Sequence, residues 1–461
     1  MLSRRRGFSV FLSLLLAGTL VFTACGKKSG ENSDVKSGDN SSASKEKVTV
    51  THYSTNTDDK LYIKNLMPEF EKTHSNIKME FLTVPYENFD SKLQTLVASK
   101  SAPDVFSHYG DGGFIEYYSK GLVEDLTPFM EKAKFDPVKE GIPENLLKIY
   151  TLNKKVYGVP VSAYVSLVAY NKDLFDQAKV PYPTSDYEDK SWTFDKMIET
   201  AKKLTKVSKN MAESQYGLDF YWSERDMRPV YFGEKVYSDD TWTNGGKPSE
   251  CYFNSQGVIK AQQKFIDLMH LHKVMPTPAA TKGMTGGDAT TGDPFLMGKI
   301  AMSVSGSWVI ANVNDIPFKV GVAAIPVGGN EKVRSVLFVD PLMIIKGSKN
   351  PEAALEWIKF LTSKESQEKA VEMCGNPPAN SGASEKYYKS FPGVDPKDVK
   401  NVVEGAIKYG AESYNHMIVN YSQINDIIKN EYQQAENDNV PAEKVMKVVQ
   451  EKVTDLLKKS K

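Results

Sequence analysis

Residues 47–81 read KVTVTHYSTNTDDKLYIKNLMPEFEKTHSNIKMEF and contain two kinds of apolar periodicity. At the start of this stretch Val48 and Val50 alternate with polar residues, and residues 77–81 alternate in the same way. Strict alternation is typical of a half-buried β-strand. The two ends of the stretch are therefore predicted to be strands.

The apolar residues between these strands recur with helical spacing. Ile63, Leu66, Met67 and Phe70 follow the pattern i, i+3, i+4, i+7, and Asp58 precedes them as a candidate N-cap. A strand, a helix and a second strand in this order form a β-α-β unit, whose two strands are parallel. The stretch therefore predicts an α/β fold.

The same alternation continues along the chain. The further predicted elements are a helix around residues 93–97, strands at 104–106, 166–170, 300–304 and 320–325, and helices that start near Thr193, Asn350 and Pro441. Helices alternating with strands predict a three-layer α/β architecture, and the length of 461 residues predicts two domains.

The N-terminus combines a basic start, an apolar run and a small-residue exit. Residues 4–6 are all arginine, and an apolar run extends from residue 8 to residue 24. This pattern predicts a secretory signal peptide over residues 1–24, with an uncleaved anchor as the alternative because the run approaches the roughly 20 residues of a membrane span. Residues 22–25, Phe-Thr-Ala-Cys, resemble the bacterial lipobox, with phenylalanine where leucine is usual. The resemblance implies that Cys25 carries a lipid (palmitate) anchor.

A polar linker follows the predicted lipidation site. Residues 26–46 are almost all Gly, Ser, Asn, Asp, Lys or Glu. Such a segment cannot bury enough apolar surface to offset its chain entropy. Residues 25–46 are therefore predicted to be a lipidated cysteine with a flexible tether.

Charge and cysteine content exclude several classes of protein. The chain has 58 basic and 58 acidic residues, and removal of the leader leaves 55 basic residues against 58 acidic ones. A nucleic-acid-binding protein would normally show a concentrated basic face. Because the charges here are balanced, the chain is not expected to bind nucleic acid. After Cys25 only Cys251 and Cys374 remain, which is too few for a disulfide scaffold, and both are predicted to be free thiols.

Motifs for catalysis and metal binding are absent from the sequence. None of the six histidines forms an HExxH motif, and there is no G-x-S-x-G elbow, P-loop or Asp-rich calcium loop. No metal or cofactor is predicted, and the chain is not expected to be an enzyme. Acidic pairs such as Asp239 and Asp240 fit solvated loops better than a glycosidase site, although a secreted glycosidase stays an alternative because sequence does not give their separation from other carboxylates.

Aromatic residues are abundant, with 23 Tyr, 21 Phe and 5 Trp. Sugar rings have apolar C–H faces and a rim of hydroxyls, so their sites need flat aromatic surfaces beside carboxylates and amides. Any single aromatic residue is equally compatible with core packing. Tyr109 favours a site more strongly because it follows a predicted strand, and ligands bind at the carboxyl ends of strands in open α/β sheets. Tyr53 and Trp222 are candidates in similar loop positions.

Four motifs occur in a fixed order along the chain. They are Ala102-Pro103-Asp104-Val105-Phe106; Tyr157-Gly158-Val159-Pro160 with Leu167 to Phe175; Trp192-Thr193-Phe194-Asp195; and Phe295-Leu296-Met297-Gly298-Lys299-Ile300-Ala301-Met302 ending in Gly306-Ser307-Trp308. Together they resemble the extracellular solute-binding proteins of family 1, the maltose-binding-protein-like receptors of ABC importers. The resemblance extends from about residue 47 to the C-terminus.

The resemblance implies a two-lobed, periplasmic-binding-protein-like (type II) α/β fold, with a ligand cleft between the lobes and a hinge that closes on the ligand. Because the chain of such proteins crosses between lobes more than once, lobe one is expected at 47–160 with 336–385. Lobe two is expected at 161–335 with 386–461.

The resemblance also implies roles for individual residues. Trp308 would be the aromatic platform, and Tyr164 would lie at the cleft where relatives often have an acidic residue. Asp340 and Asp111 would accept hydrogen bonds from ligand hydroxyls on opposite sides.

The implied function is delivery of an oligosaccharide or other sugar to the permease subunits of an ABC importer. The protein is expected to be a monomer, held by its lipid on the extracellular face of a cell membrane, and the long tether favours a Gram-positive surface. A non-sugar solute such as a polyamine, a metal chelate or a phosphorylated compound stays the alternative ligand.

Overall fold

The computed structural model describes residues 47–57, 60–107, 113–220, 224–286, 293–311, 313–329 and 333–459. Within these ranges the chain forms eleven strands and fifteen α-helices. The strands are β1 (Val48–Thr55), β2 (Ile77–Val84), β3 (Val105–Ser107), β4 (Thr151–Leu152), β5 (Lys155–Val156), β6 (Val159–Asn171), β7 (Tyr216–Asp219), β8 (Ile300–Gly306), β9 (Val320–Ala323), β10 (Ser335–Ile344) and β11 (Gly410–Glu412). The helices are α1 (Leu61–Thr73), α2 (Phe89–Ala98), α3 (Gly113–Ser119), α4 (Thr127–Ala133), α5 (Glu144–Lys148), α6 (Lys172–Ala178), α7 (Phe194–Leu204), α8 (Gln256–His270), α9 (Pro278–Met284), α10 (Pro351–Thr362), α11 (Lys364–Cys374), α12 (Ser384–Tyr388), α13 (Pro396–Lys408), α14 (Tyr421–Asp438) and α15 (Ala442–Lys459).

The first two strands and the helix between them form the predicted β-α-β unit. β1 and β2 pair in parallel, with Val48 opposite Ile77, and β3 pairs in parallel with the other side of β1. The face of α1 that includes Ile63 and Phe70 is buried, as the helical spacing predicts. Asp58, the predicted N-cap, lies outside the described residues, and α1 begins directly after Lys60.

Two long strands, β6 and β10, connect the two ends of the main sheet. The strand order is β2-β1-β3-β10-β6-β8-β7, with β11 paired to β10 and β9 paired to β6. In β6, residues 159–165 pair with β10, whereas residues 166–171 pair with β8 and β9. In β10, residues 342–344 pair with β3 and residues 335–337 pair with β11. Each strand therefore takes part in both ends of the sheet.

A third segment runs beside these crossing strands. Residues 377–379 lie along β6, where the amide of Ala163 donates to the carbonyl of Pro377 at 3.1 Å. Ser162 and Pro378 form an isolated antiparallel bridge. The segment follows α11 directly, so the end of this helix is fixed against β6.

Three clusters of buried apolar side chains stabilise the described chain. One surrounds the fully buried Trp357 and covers β1, α1 and α10. The indole nitrogen of Trp357 donates to Nδ1 of His52 at 2.9 Å, and burial lowers the pKa of His52 to about 3, so this ring stays neutral and can accept the bond. A second cluster packs α8, α14 and α15 together, and the largest extends across β6, β8 and β10. The largest cluster includes residues of both predicted lobes, so buried clusters do not divide the chain at the predicted boundaries. These boundaries stay a prediction.

Several elements in the second half of the chain begin where the sequence predicts. Thr193 caps α7, since its hydroxyl oxygen accepts from the amide of Lys196 at 3.1 Å. α10 begins at Pro351 and α15 begins one residue after Pro441. Among the described helices after α7, α10 and α15 were predicted, whereas α8, α9 and α11 to α14 were not. The structure joins neither Cys251 nor Cys374 to another described cysteine by a disulfide, and their free-thiol state stays a prediction.

The predicted signal peptide, Cys25 and the linker lie outside the described residues. No helix in the described part of the chain has the length and apolar character needed to cross a membrane.

Candidate functional site

Four side chains share one face of the crossing strands. Tyr164 of β6 lies opposite Phe338 of β10, and Ser162 lies opposite Asp340. Side chains two residues apart on a strand point to the same face, so these four project from one side of the sheet. Tyr164 and Asp340 are 9% and 8% exposed, so both side chains are largely buried, and the region bounded by Tyr164, Phe338 and Asp340 is called the recess below.

Trp308 forms the wall beside this face. It follows β8 in a short 3-10 helix, Ser307–Ile310, which is tied to β6 where the amide of Val165 donates to the hydroxyl of Ser307 at 3.3 Å. The indole centroid lies 6.0 Å from the ring of Tyr164 and 5.3 Å from that of Phe338. Trp308 is nevertheless 39% exposed, so part of its apolar face is open for a ligand.

The position of the indole depends on Gly306. The indole ring of Trp308 lies so close to the Cα of Gly306 that a Cβ on this residue would overlap the ring. The Gly-Ser-Trp sequence therefore folds the indole back over the end of β8. Only glycine leaves room for this arrangement.

Lys60 and Asp340 supply charges at the base of the recess. The amino group of Lys60 is 3.0 Å from Oδ2 of Asp340, and the two side chains are 2% and 12% exposed. The same amino group lies 5.4 Å from the ring centroid of Tyr164, within the range of a cation–π contact. The pair fixes the Asp340 carboxylate beside the aromatic rings.

Asn376 completes this set from the segment that follows α11. Its Oδ1 accepts from the hydroxyl of Ser162 at 3.2 Å and from that of Tyr164 at 3.4 Å. An amide, a carboxylate and an ammonium group thus lie around two aromatic rings, which suits a ligand with apolar faces and hydroxyl groups.

Glu412 is the last residue of β11, and its carboxyl group interacts electrostatically with that of Asp340. Burial raises the pKa of its carboxyl group and Asp340 acts in the same direction, whereas His416, whose Nδ1 is 2.6 Å away, lowers it. The net effect is a raised pKa of Glu412, so a second negative charge near Asp340 is disfavoured.

The segment that follows Trp222 is fixed by a buried charge cluster. Arg225 and Arg228 both bind Glu436 of α14, with nitrogen–oxygen distances of 2.7 and 3.3 Å. Burial alone would raise the pKa of Glu436, but the two arginines lower it below its ordinary value. This cluster holds residues 224–228 against the C-terminal helices.

The structure brings together three of the predicted site residues, Tyr164, Trp308 and Asp340. Tyr53 is placed elsewhere: its side chain is fully buried, its ring packs on Phe89 and its hydroxyl donates to the Phe89 carbonyl at 2.8 Å. Its ring therefore packs in the core, and this geometry gives no support to its prediction as a ligand contact.

The remaining predicted contacts, Tyr109, Asp111 and Trp222, lie outside the described residues. Tyr109 and Asp111 stand between β3 and α3, and Trp222 follows β7.

The sequence patterns did not predict Lys60, Phe338 or Asn376 as site residues. Lys60 had one usable signal, because it follows the first strand, and ligands bind at the carboxyl ends of strands. Phe338 is two residues from Asp340 and so shares its face. Asn376 had no local signal, since only its pairing with β6 places it here.

A metal site has no support in the described part of the chain, where no group of three or more His, Cys, Asp or Glu side chains is arranged to hold an ion.

Comparison with known proteins adds a family and a fold. The model of the family described as bacterial extracellular solute-binding protein matches residues 53–368. The galactooligosaccharide-binding protein of Bacillus subtilis is 26% identical over 385 residues, which cover 80% of this chain and 80% of that protein. The multiple sugar-binding protein of Streptococcus mutans is 24% identical over 359 residues, which cover 75% and 78%.

A solved structure is similar over most of the chain. It is an ABC substrate-binding protein of Listeria monocytogenes in complex with cycloalternan, which is 26% identical with a TM-score of 0.74. The likeness covers 89% of this chain and 99% of that one.

Proposed function

Because this chain belongs to the bacterial extracellular solute-binding proteins, we propose that it is the receptor of an ABC importer and that it binds an oligosaccharide against Trp308. The prediction of the maltose-binding-protein-like family and of its α/β fold is confirmed. The family consists of binding proteins, so the chain is a receptor and not an enzyme.

The observation that carries the proposal is the partly exposed indole of Trp308 beside a buried, fixed carboxylate. A sugar ring stacks its C–H face on an aromatic ring and offers hydroxyls to neighbouring carboxylates and amides. Trp308 and Asp340 supply both kinds of contact around Tyr164. The sugars named for the relatives from B. subtilis, S. mutans and L. monocytogenes support the same ligand class.

Ligand binding is coupled to hinge closure in the proposed mechanism. The site lies on β6 and β10, which cross between the predicted lobes at residues 160–161 and 335–336, and beside the 377–379 segment, which precedes the third predicted crossing at residues 385–386. A ligand that contacts both lobes binds the closed form better and shifts the equilibrium towards it. Tyr109, Asp111 and Trp222 are proposed as the contacts that closure completes. The closed receptor then docks on the permease subunits.

The N-terminal residues suggest how the receptor stays near its importer. We propose that Cys25 is lipidated after removal of residues 1–24, so that the monomer is tethered on the outer face of a Gram-positive membrane. Metabolic labelling with a palmitate analogue tests this step: the wild-type chain should be labelled and Cys25→Ser should not. Equal labelling of both would contradict lipidation at this residue.

The ligand class is tested by a thermal-shift screen of the purified chain against mono- and oligosaccharides, polyamines, amino acids and phosphorylated sugars. A ligand at 100 times its Kd should add about 2.7 kcal/mol of stability, which raises the Tm measurably. We expect the hits among oligosaccharides. Hits confined to charged compounds would contradict the sugar assignment.

Trp308→Ala tests the location of the site. It should clearly reduce the shift, whereas Tyr182→Ala, a similarly exposed aromatic residue that packs on Phe175, should leave it intact. An unchanged shift in Trp308→Ala would place the site elsewhere.

A further inference from the structure

The side-chain amide of Asn376 is only half satisfied. The residue is 1% exposed, and its Oδ1 accepts two hydrogen bonds, from Ser162 and Tyr164. Its Nδ2 is buried and has no hydrogen-bond partner among the described residues. A buried donor without a partner destabilises the folded state, so such a group in a folded protein needs an explanation.

A second buried asparagine four residues later shows the contrast. Asn380 is also 1% exposed, but its Nδ2 donates to the carbonyls of Glu140 and Thr362, at 2.8 and 3.0 Å. Its Oδ1 accepts from the amide of Gly382 at 2.9 Å. The same residue type in the same segment is therefore fully paired where its role is structural.

The unpaired amide lies next to the proposed platform. The Tyr164 hydroxyl that binds Asn376 belongs to the ring that is 6.0 Å from Trp308. Gly375, the preceding residue, lies against Ala311, where a Cβ would be 3.6 Å from the carbonyl oxygen. The segment that carries Asn376 thus lies close both to β6 and to the chain that follows Trp308.

We propose that Asn376 is a ligand-contact residue whose amide binds a hydroxyl of the sugar unit stacked on Trp308. This inference rests on the proposed function and names a specificity contact within it. A hydroxyl both donates and accepts, so it satisfies the free atom of the amide in either orientation of its oxygen and nitrogen.

The test compares Asn376→Ala with Asn380→Ala by calorimetric titration of the best-binding oligosaccharide and by the Tm of the ligand-free chain. Loss of one buried hydrogen bond to the ligand should weaken binding by Asn376→Ala about ten- to a hundredfold. Its ligand-free Tm should fall less than that of Asn380→Ala, which loses three bonds but should bind within about twofold of the wild type.

Two results would overturn the inference while leaving the proposed function standing. One is Asn376→Ala binding as tightly as the wild type. The other, which needs no variant, is a ligand-bound crystal structure in which no ligand oxygen lies within hydrogen-bonding distance of the Asn376 amide. If the wild-type chain binds no saccharide at all, the proposed function fails and this inference fails with it.

Discussion

Lys60 and Asp340 are 280 residues apart in the sequence, yet they form a buried ion pair with a nitrogen–oxygen distance of 3.0 Å. The pair joins the start of α1 to the middle of β10, so it connects the first β-α-β unit to a crossing strand. Its carboxylate is thereby fixed in the recess beside Tyr164.

Asp340→Asn should destabilise the protein as well as weaken ligand binding. The substitution removes one charge from a buried pair, which is expected to lower the free energy of unfolding by about 3 kcal/mol. Urea denaturation measures this change. Glu80→Gln is the control, because it breaks the exposed pair with Lys78 and should cost less than about 1 kcal/mol. Equal losses in both variants would contradict a buried role for Lys60 and Asp340.

Gly306→Ala should act through Trp308. The added Cβ would overlap the indole, so the ring must leave its place beside Tyr164 and Phe338. We expect a loss of sugar affinity of about tenfold or more, with a changed tryptophan emission in the ligand-free protein.

A double variant separates this mechanism from general damage to β8. If Gly306 acts only by positioning the indole, Gly306→Ala combined with Trp308→Ala should bind no worse than Trp308→Ala alone. Fully additive losses would show that Gly306 matters for another reason.

Asp219 should make stability depend on pH. It is the last residue of β7, lies opposite Ser303 and is 6% exposed. Burial raises its pKa from 3.8 to about 8, with a smaller contribution from Asp293 in the same direction. Between these two values the folded state binds more protons than the unfolded state, so stability should fall as pH rises, by up to about 1.4 kcal/mol per pH unit.

Asp219→Asn removes this titration while keeping the size of the side chain. Its unfolding free energy should vary less between pH 5 and pH 8 than that of the wild type, and it should be the more stable protein at the alkaline end. Denaturation at several pH values measures both effects. Parallel stability curves for the two proteins would contradict a raised pKa at Asp219.

Glu436→Gln should destabilise the C-terminal region strongly. Its carboxylate compensates both Arg225 and Arg228, and its loss leaves two arginines without that partner in a buried setting. We expect a loss of about 3 kcal/mol or more by chemical denaturation. Glu431→Gln on the same helix, which breaks the more exposed pair with Lys452, should cost far less.

Local periodicity was sufficient for much of the fold. The buried stripe of α1 and the cap of α7 follow from residues within one turn or two of each other, where spacing alone decides which face is buried. α14 has a similar apolar stripe, but its buried residues, such as Tyr421 and Tyr432, are interrupted by polar ones and gave a weaker pattern.

The site was harder to predict because its contacts are long-range. Trp308 and Asp340 came from the resemblance of their motifs to a family, whereas Lys60 and Asn376 depend on pairings between distant segments. Tyr53 shows the opposite difficulty. An aromatic residue near the end of a strand looks the same in sequence whether it packs in the core or faces a ligand, and only its burial distinguishes the two.

Calorimetric titration of the wild type and of Trp308→Ala with the same oligosaccharide tests whether the chain binds the sugar against Trp308. We expect saturable binding by the wild type and an affinity lower by about tenfold or more in Trp308→Ala. The ligand-free Tm of this variant should fall, because the indole packs on Tyr164 and Phe338, but the variant should still unfold cooperatively. Equal affinity of the two proteins for the sugar would contradict binding against Trp308.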